Sequence, residues 1–252
     1  MSWDWTVFCK DTLEGTVASR CWEGGRDTTY LQWMINAWGW TLSVAGGAWV
    51  IAVAAGLLIG IMRTLPNSPI ASRFATGWVE LFRNIPILVQ LFLWYFVAPK
   101  VFPAMQAIPS FLLVIFGLGF FTSARLAEQV RAGIQSLPRG QRYAALAMGF
   151  TTWQSYRYVI LPMALRIILP PLTSESMNLL KNSSVAFAVS IAELTTFAMQ
   201  AQEETSRGIE IYLAVTALYA FSAFLVNRIF AVIERKVQIP GFIVAGRAGG
   251  GH

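Results

Sequence analysis

Charged residues are scarce in this sequence, and the scarcity decides its class. Only 13% of the 252 residues are Asp, Glu, Lys or Arg, whereas 56% are hydrophobic. Soluble domains carry about 25% charged residues, so the composition predicts a polytopic membrane protein. A net charge of +6 would suggest a nucleic-acid partner in a soluble protein. Here the basic residues lie beside apolar segments, as membrane orientation requires, so we expect a lipid bilayer as partner and no nucleic acid.

The residues that most often carry catalysis are also rare. The only histidine is His252, the last residue, so neither a metal site nor a His-dependent hydrolase is expected. The phosphate-binding sequence G-x-x-x-x-G-K-[ST] is absent, so ATP, if it is the energy source, must be bound by another polypeptide. We therefore expect a protein that is not an enzyme and that holds no cofactor.

The two cysteines, Cys9 and Cys21, lie in the polar segment 1–30, which lacks the apolar core of a secretory signal peptide. We expect residues 1–30 to be extracytoplasmic, with the first hydrophobic segment acting as both targeting signal and anchor. In that compartment a Cys9–Cys21 disulfide is possible, and closing so short a loop would contribute about 3 kcal/mol. The alternative is two free thiols in a mobile tail.

The apolar segments predict an all-α protein with about five transmembrane helices, since about 20 apolar residues span a bilayer. The transmembrane domain is expected over 31–236, followed by a flexible cytoplasmic tail at 237–252. Small residues between Gly46 and Gly60 predict close helix packing in the first span. The pair Pro170-Pro171 is expected to interrupt the fourth span. The predicted spans are 28–62, 85–101, 110–131, a segment after 162, and 211–233, with 68–84 as a cytoplasmic connection and 193–207 largely outside.

The distribution of basic residues sets the expected orientation. With the N-terminus outside and the C-terminus inside, eleven Lys and Arg residues fall on inner segments and five on outer ones, as the positive-inside rule requires. The inner residues are Arg63, Arg73, Arg83, Arg131, Arg139, Arg142, Arg157, Arg228, Arg235, Lys236 and Arg247, and the outer residues are Lys10, Arg20, Arg26, Lys100 and Arg207.

A polar, Arg-rich stretch at 128–162 separates two apolar segments. Residues 141–148 are rich in Ala and Leu and predict a short helix, which Gly149 ends. Thr151 and Gln154 have the spacing of a capping box, which predicts a second short helix. Pro162 is expected to end that helix at the preceding residue.

This stretch resembles the EAA loop of permease subunits in binding-protein-dependent ABC importers. In that family two small residues and a glycine stand at fixed distances before Leu-Pro, and the family usually has Glu at the position of Tyr143. The matching residues here are Ala144, Ala145, Gly149, Val159, Leu161 and Pro162. A second stretch, 80–86, is similar to the signature before the second span in permeases for polar amino acids.

The resemblance implies a type I ABC importer permease fold in a bacterial inner membrane. The loop at about 132–162 would be the coupling helix region, seated in a groove of an ATPase subunit. The implied partners are a second permease subunit (a heterodimer, or else a homodimer), two ATPase subunits that bind the ATP, and a periplasmic amino-acid-binding protein. The implied contacts with the ATPase are Gln141, Ala144, Ala145, Gly149, Leu161 and Pro162.

Charged residues inside the predicted spans are the candidates for substrate binding, because charge at that depth costs at least about 2.5 kcal/mol. Arg125 and Glu128 share a helix face three residues apart. Glu175, Asn178 and Lys181 fall within about 120° of arc on a helix. The alternative is internal ion pairing, for example Arg125 with Glu128 or Glu175 with Lys181.

Arg125 suggests the substrate. Permeases for polar amino acids generally carry Tyr at this position, and a guanidinium suits a carboxylate through two parallel hydrogen bonds. We therefore expect Arg125 to contact the side chain of an acidic amino acid, and the whole sequence looks most like glutamate/aspartate permeases. The alternatives are another polar amino acid (glutamine, histidine or arginine), for which a cationic substrate would prefer Glu128 and Glu175, an ion-coupled carrier or channel, and a structural scaffold.

Overall fold

Helices form nearly all the regular structure of residues 3–12, 17, 21 and 29–237, which this computed structural model describes. Two isolated β-bridges near the N-terminus are the exceptions there. The all-α prediction is confirmed. The α-helices of this part are α1 (Tyr30–Met62), α2 (Pro69–Asn84), α3 (Ile87–Phe92), α4 (Ala98–Val101), α5 (Ser110–Gln135), α6 (Arg139–Ala147), α7 (Thr152–Ser155), α8 (Leu161–Asn182), α9 (Leu194–Thr205) and α10 (Gly208–Val237).

Three of these helices, α1, α5 and α10, are long and apolar enough to cross a membrane singly. Two further stretches qualify as bent pairs: 69–84 with 87–101, bent by 105°, and 152–189 with 194–205, bent by 53°. The described chain therefore has three candidate spans, or up to five if each bent pair is one span. The predicted number, about five, corresponds to the upper count.

In the described chain, α1 and α5 pack against each other more extensively than any other two elements. A Cβ atom added to Gly56 would lie 2.6 Å from the Cβ of Leu126, and one added to Gly60 would lie 2.6 Å from the Cβ of Val130. Only the absence of a side chain lets the two backbones approach this closely. The packing predicted from the small residues of the first span is confirmed at these two glycines.

The segment 68–84, predicted as a cytoplasmic connection, contains helix α2, with Pro69 in its first turn. Proline is tolerated there because the first turn has no intrahelical partner for its missing N–H. Only Ala75 and Val79 of α2 are buried. Pro86 precedes α3 at the elbow between the two helices.

Pro162 and the pair Pro170-Pro171 do not act as predicted. A π-helical turn, Tyr156–Ile160, joins α7 to α8, and Pro162 lies in the first turn of α8 rather than beyond a helix end. Pro170 and Pro171 lie inside α8, which continues to Asn182. Membrane-spanning helices tolerate proline because neighbouring helices and local 3₁₀ or π adjustments satisfy the freed backbone groups.

The break in this stretch comes later, after a 3₁₀ turn at Ser183–Val189. Ser190 is left-handed, with φ of 57°. The following segment, predicted to lie largely outside, contains α9, whose side chains Leu194, Phe197 and Ala201 are buried against α1 and α10. Glu193 is also fully buried. Its carboxylate accepts hydrogen bonds from the backbone N–H groups of the first turn of α9.

The N-terminal segment is attached to the same end of the molecule. A disulfide joins Cys9 to Cys21, and Val7 and Phe8 pack with the start of α1. Asp4 lies 3.3 Å from Lys10 Nζ and 3.6 Å from a guanidinium nitrogen of Arg207. Hydrogen bonds from Thr6, and then from Lys10, hold the pKa of the Asp4 carboxyl below its ordinary value. The predicted tail 237–252 lies outside the described residues except for Val237.

Candidate functional site

The two charged residues at the centre of the candidate site come from different helices. Arg125 on α5 donates a hydrogen bond of 3.0 Å from Nη2 to Oε1 of Glu175 on α8. The Glu175 side chain is only 8% exposed, whereas that of Arg125 is 38% exposed. The pairings Arg125–Glu128 and Glu175–Lys181, named as examples from the sequence, are therefore wrong, because sequence spacing did not show which helices pack together.

Arg125 keeps hydrogen-bonding capacity after this contact. A guanidinium has five N–H donors in a planar fork, and Glu175 is its one side-chain hydrogen-bond partner among the described residues. The paired carboxylate stabilises the charge at this depth. The remaining, partly exposed N–H groups of Arg125 can donate hydrogen bonds to a second carboxylate.

Helix α8 carries a polar face beside this pair. Ser174 and Lys181 are exposed and Asn178 is half-buried, at the spacing that places them on one side of the helix. No ion pair forms at Lys181 within the described chain. Polar and charged groups in spans face a bundle interior or a water-filled path rather than lipid. This face therefore has the residue types of a path lining.

Glu128 belongs to a second cluster, about one helical turn from Arg125. Its carboxylate accepts hydrogen bonds from Arg63 at the end of α1 and from Arg131 on α5. Arg83 of α2 lies 3.9 Å away. The cluster joins α1, α2 and α5. Of the five residues predicted for substrate binding, Arg125 and Glu175 pair with each other, Glu128 belongs to this second cluster, and Asn178 and Lys181 lie further along α8.

The loop between α5 and α8 has the local structure that its sequence predicts in its first half. Helix α6 ends before Gly149, whose φ of +85° suits a residue without a Cβ. The side chain of Thr151 accepts a hydrogen bond from the backbone of Gln154, and the Gln154 side chain reaches back to Thr151, which completes the predicted capping box.

The outer surface of this loop is apolar and exposed. Gln141 and Ala144 are exposed on α6, whereas Ala145 is fully buried against the rest of the chain. Leu161 is half-buried and Pro162 exposed at the start of α8. Five large side chains of the loop are exposed: Tyr143, Leu146, Met148, Trp153 and Tyr158.

One contact that the sequence did not reveal ties this loop to α1. The phenol of Tyr156, in the π-helical turn, is buried and donates to the backbone carbonyl of Thr64, just past α1. No sequence motif marks Tyr156, because its partner is 92 positions away and is a backbone atom.

Comparison with known proteins decides the family. The profile of the family "Binding-protein-dependent transport system inner membrane component" matches residues 34–239. The chain belongs to this family. Membership makes it an inner-membrane component of an ABC importer, working with a substrate-binding protein and an ATPase, and confirms the resemblance that the EAA-like loop indicated. Residues 1–33, which include the disulfide, precede the matched region.

Individual relatives agree with this membership. The glutamate/aspartate import permease protein GltJ of Escherichia coli K12 is 40% identical over 96% of this chain and 97% of its own length. The glutamine transport system permease protein GlnP of the same organism is 33% identical over 81% of this chain and 90% of its own. A crystal structure of an amino acid ABC transporter with histidines is 33% identical, has a TM-score of 0.72, and is matched over 82% of this chain and 95% of that one.

Within the part of the chain that the structure describes, no cluster of His, Cys, Asp or Glu has the arrangement of a metal site. At the candidate site, Arg125 and Glu175 pair with each other.

Proposed function

We propose that this permease carries acidic amino acids, glutamate and aspartate, across the inner membrane. The observation that carries the proposal is the Arg125–Glu175 pair, in which a partly exposed guanidinium is neutralised by a nearly buried carboxylate. The substrate named for the 40% identical relative, glutamate/aspartate, supports this choice.

The chemistry of the pair suggests how the substrate is bound and released. The side-chain carboxylate of the substrate takes the free donors of Arg125, because two parallel N–H···O bonds match its geometry. Glu175 competes for the same guanidinium. This competition lowers the affinity of Arg125 for the substrate, so the substrate dissociates when the path opens to the cytoplasm.

The orientation follows from the distribution of Lys and Arg, with the N-terminus outside and the C-terminus inside. The loop around α6 then faces the cytoplasm, and its exposed Tyr143, Leu146, Met148 and Trp153 are the surface for the ATPase. The N-terminal segment, with its Cys9–Cys21 disulfide, lies in the periplasm, where disulfides persist.

A second permease subunit completes the path. On the polar face of α8, Ser174 and Lys181 are exposed and Asn178 is half-buried in the described part of one subunit, and about five spans are few to enclose a solute. We propose a pair of permease subunits, different or identical, with two ATPase subunits that bind and hydrolyse the ATP. This chain itself makes and breaks no covalent bond.

Energy transfer runs through α6 and Tyr156. Closure of the ATPases displaces α6, and the rigid contacts from Tyr156 to Thr64 pass the displacement to the end of α1. ATP drives this change only because it binds one state more tightly than the other.

The test is ATP hydrolysis by the reconstituted complex, with its binding protein loaded in turn with glutamate, aspartate, glutamine or arginine. Stimulation by the two acidic ligands alone is the expected result. Stimulation by glutamine or arginine instead would keep the importer and overturn the assignment of Arg125. Uptake without any ATPase subunit would indicate an ion-coupled carrier and overturn the mechanism.

A further inference from the structure

A cavity of about 500 Å³ lies beneath α6, where α1 and α5 end. Arg63, Arg139 and Arg142 are among the residues that line it, and no Asp or Glu of the described chain does. None of the residues assigned above to the substrate path contributes to it. Its walls therefore favour an anion that is not the transported solute at Arg125.

Positive charge at this cavity exceeds the negative charge near it. Glu128 is the carboxylate bonded to Arg63, and it is shared with Arg131 and, at 3.9 Å, with Arg83. One carboxylate thus faces three guanidiniums. Arg139 and Arg142 form no ion pair within the described chain, so their charge is not compensated.

The position of the cavity narrows the choice of anion. Arg63 is the capping residue at the end of α1, and Ile134 is in the last turn of α5, so the cavity lies at the level where two spanning helices leave the membrane. Phospholipid headgroups lie at this level, and basic pockets between helices on the cytoplasmic side suit anionic ones.

The cavity is also two-sided. Ile134, Leu137 and Ile160 line it along with the arginines. An apolar wall adds nothing to the binding of a small inorganic anion. A phospholipid has a phosphate group that the guanidiniums can bind and acyl chains that can pack against the aliphatic side chains. An arginine fork binds two phosphate oxygens at once, which strengthens the contact.

We propose that this cavity binds the phosphate group of an anionic phospholipid from the inner leaflet. Arg139 and Arg142 hold the phosphate, with Arg63 at the base of the cavity. Tyr156 and Thr64, which form the hydrogen bond between the coupling loop and α1, line the same cavity. The lipid therefore reinforces the contact through which α6 acts on α1. The inference depends on the orientation proposed above, with α6 in the cytoplasm.

The experiment measures lipid binding to the complete purified complex in detergent, by native mass spectrometry during titration with phosphatidylglycerol or phosphatidylethanolamine. The test variant is the double substitution Arg139→Gln/Arg142→Gln. The control is Arg73→Gln, an exposed arginine on α2 that does not line the cavity. Each arginine near a membrane surface is worth several-fold in affinity, so the double variant is expected to lose on the order of tenfold for phosphatidylglycerol. Its affinity for phosphatidylethanolamine, and both affinities of the control, are expected to stay as in the parent.

Several results would overturn the proposal. Undiminished phosphatidylglycerol binding in the double variant would exclude these arginines as the lipid site. Displacement of the lipid by millimolar inorganic phosphate would identify a small-anion site. Loss of ATPase subunits from the complex with lipid binding intact would assign the arginines to the ATPase. If the double variant unfolds, the two single variants and Arg142→Lys, which keeps the charge but not the fork, are measured instead.

The substrate proposal and the lipid proposal fail independently. Lipid binding is measured without amino acid, binding protein or ATP, so a different transported solute leaves its outcome unchanged. Conversely, loss of phosphatidylglycerol binding does not alter which amino acid stimulates ATP hydrolysis.

Discussion

The hydroxyl group of Tyr156 lies 2.6 Å from the backbone carbonyl oxygen of Thr64 and joins the loop that carries α6 to the end of α1. The ring is buried, so the bond is shielded from water. Tyr156 is the first residue of the π-helical turn that leads into α8, and such turns often occur at functional sites. The bond therefore links the loop that carries α6 to the end of α1 close to the start of α8.

Tyr156→Phe removes this hydrogen bond and leaves the ring in place. We expect fewer solutes transported per ATP hydrolysed, and a loss of stability of about 1 kcal/mol, the usual net value of one hydrogen bond. The matched control is Tyr158→Phe, two positions away with an exposed side chain. Transport and ATP hydrolysis are measured together in proteoliposomes. Unchanged stoichiometry in Tyr156→Phe would remove the bond from the coupling path.

Arg125→Tyr places at this position the residue that permeases for other polar amino acids generally carry. We expect glutamate and aspartate to lose their advantage over glutamine in stimulating ATP hydrolysis, because the substrate carboxylate loses its guanidinium. The measurement is half-saturation and maximal rate with each loaded binding protein, with Arg73→Gln as control. An unchanged preference for glutamate would contradict the role given to Arg125.

Glu175→Gln removes the competing carboxylate while preserving the size of the side chain. Glutamate is expected to bind the solubilised complex more tightly, on the order of tenfold, since one charge-assisted hydrogen bond is worth about 1.5–3 kcal/mol. Maximal transport is expected to fall, because the solute leaves more slowly. Equilibrium binding of labelled glutamate, without the binding protein, checks this. Weaker binding would show that Glu175 supports the site rather than competes for it.

Gly60→Ala tests the contact between α1 and α5. The added Cβ would lie 2.6 Å from the Cβ of Val130 and 2.9 Å from the backbone oxygen of Ala127, and a backbone atom cannot rotate away. Overpacking of this kind costs about 1–3 kcal/mol, so the midpoint of thermal unfolding is expected to fall. Gly46→Ala, where nothing lies within 4 Å, is the control. Equal midpoints would mean that the helices separate without cost.

The charge of Asp4 makes the local structure of the N-terminal segment dependent on pH, because the hydrogen bonds from Thr6 and Lys10 that lower its pKa lie within that segment. Its folded-state pKa is lowered, so its contribution to that local structure is complete above the ordinary value of 3.8 and is lost as pH falls through the folded value. We expect protease protection of this segment to be constant from pH 8 to 5 and to decline below about 4. Asp4→Asn should be less protected at neutral pH and lack this decline. Identical profiles would show that the charge of Asp4 does not hold this segment in place.

Sequence reasoning predicted the elements that depend on local chemistry. The start of α5 at Ser110, the end of α1 at Met62 and the turn at Gly149 all follow from neighbouring residues. The interruption predicted at Pro170 and Pro171 is wrong, because packing against neighbouring helices lets α8 continue through these two helix-breaking residues. The pairing of Arg125 with Glu175 was not predicted, because which carboxylate meets Arg125 depends on the packing of α5 against α8.

Glu193 has a further consequence for how anions are selected. A half-helix that begins within a bilayer presents a partial positive charge at its first turn, and some transporters bind the carboxylate of a substrate there. Helix α9 begins after the left-handed break at Ser190, but the carboxylate of Glu193 already occupies its first backbone N–H groups. The partial positive charge of that helix end therefore interacts with Glu193 and is not available to a substrate. Under the proposed function, selection for negative charge therefore rests on the side chain of Arg125, which one substitution can change, and not on this helix end.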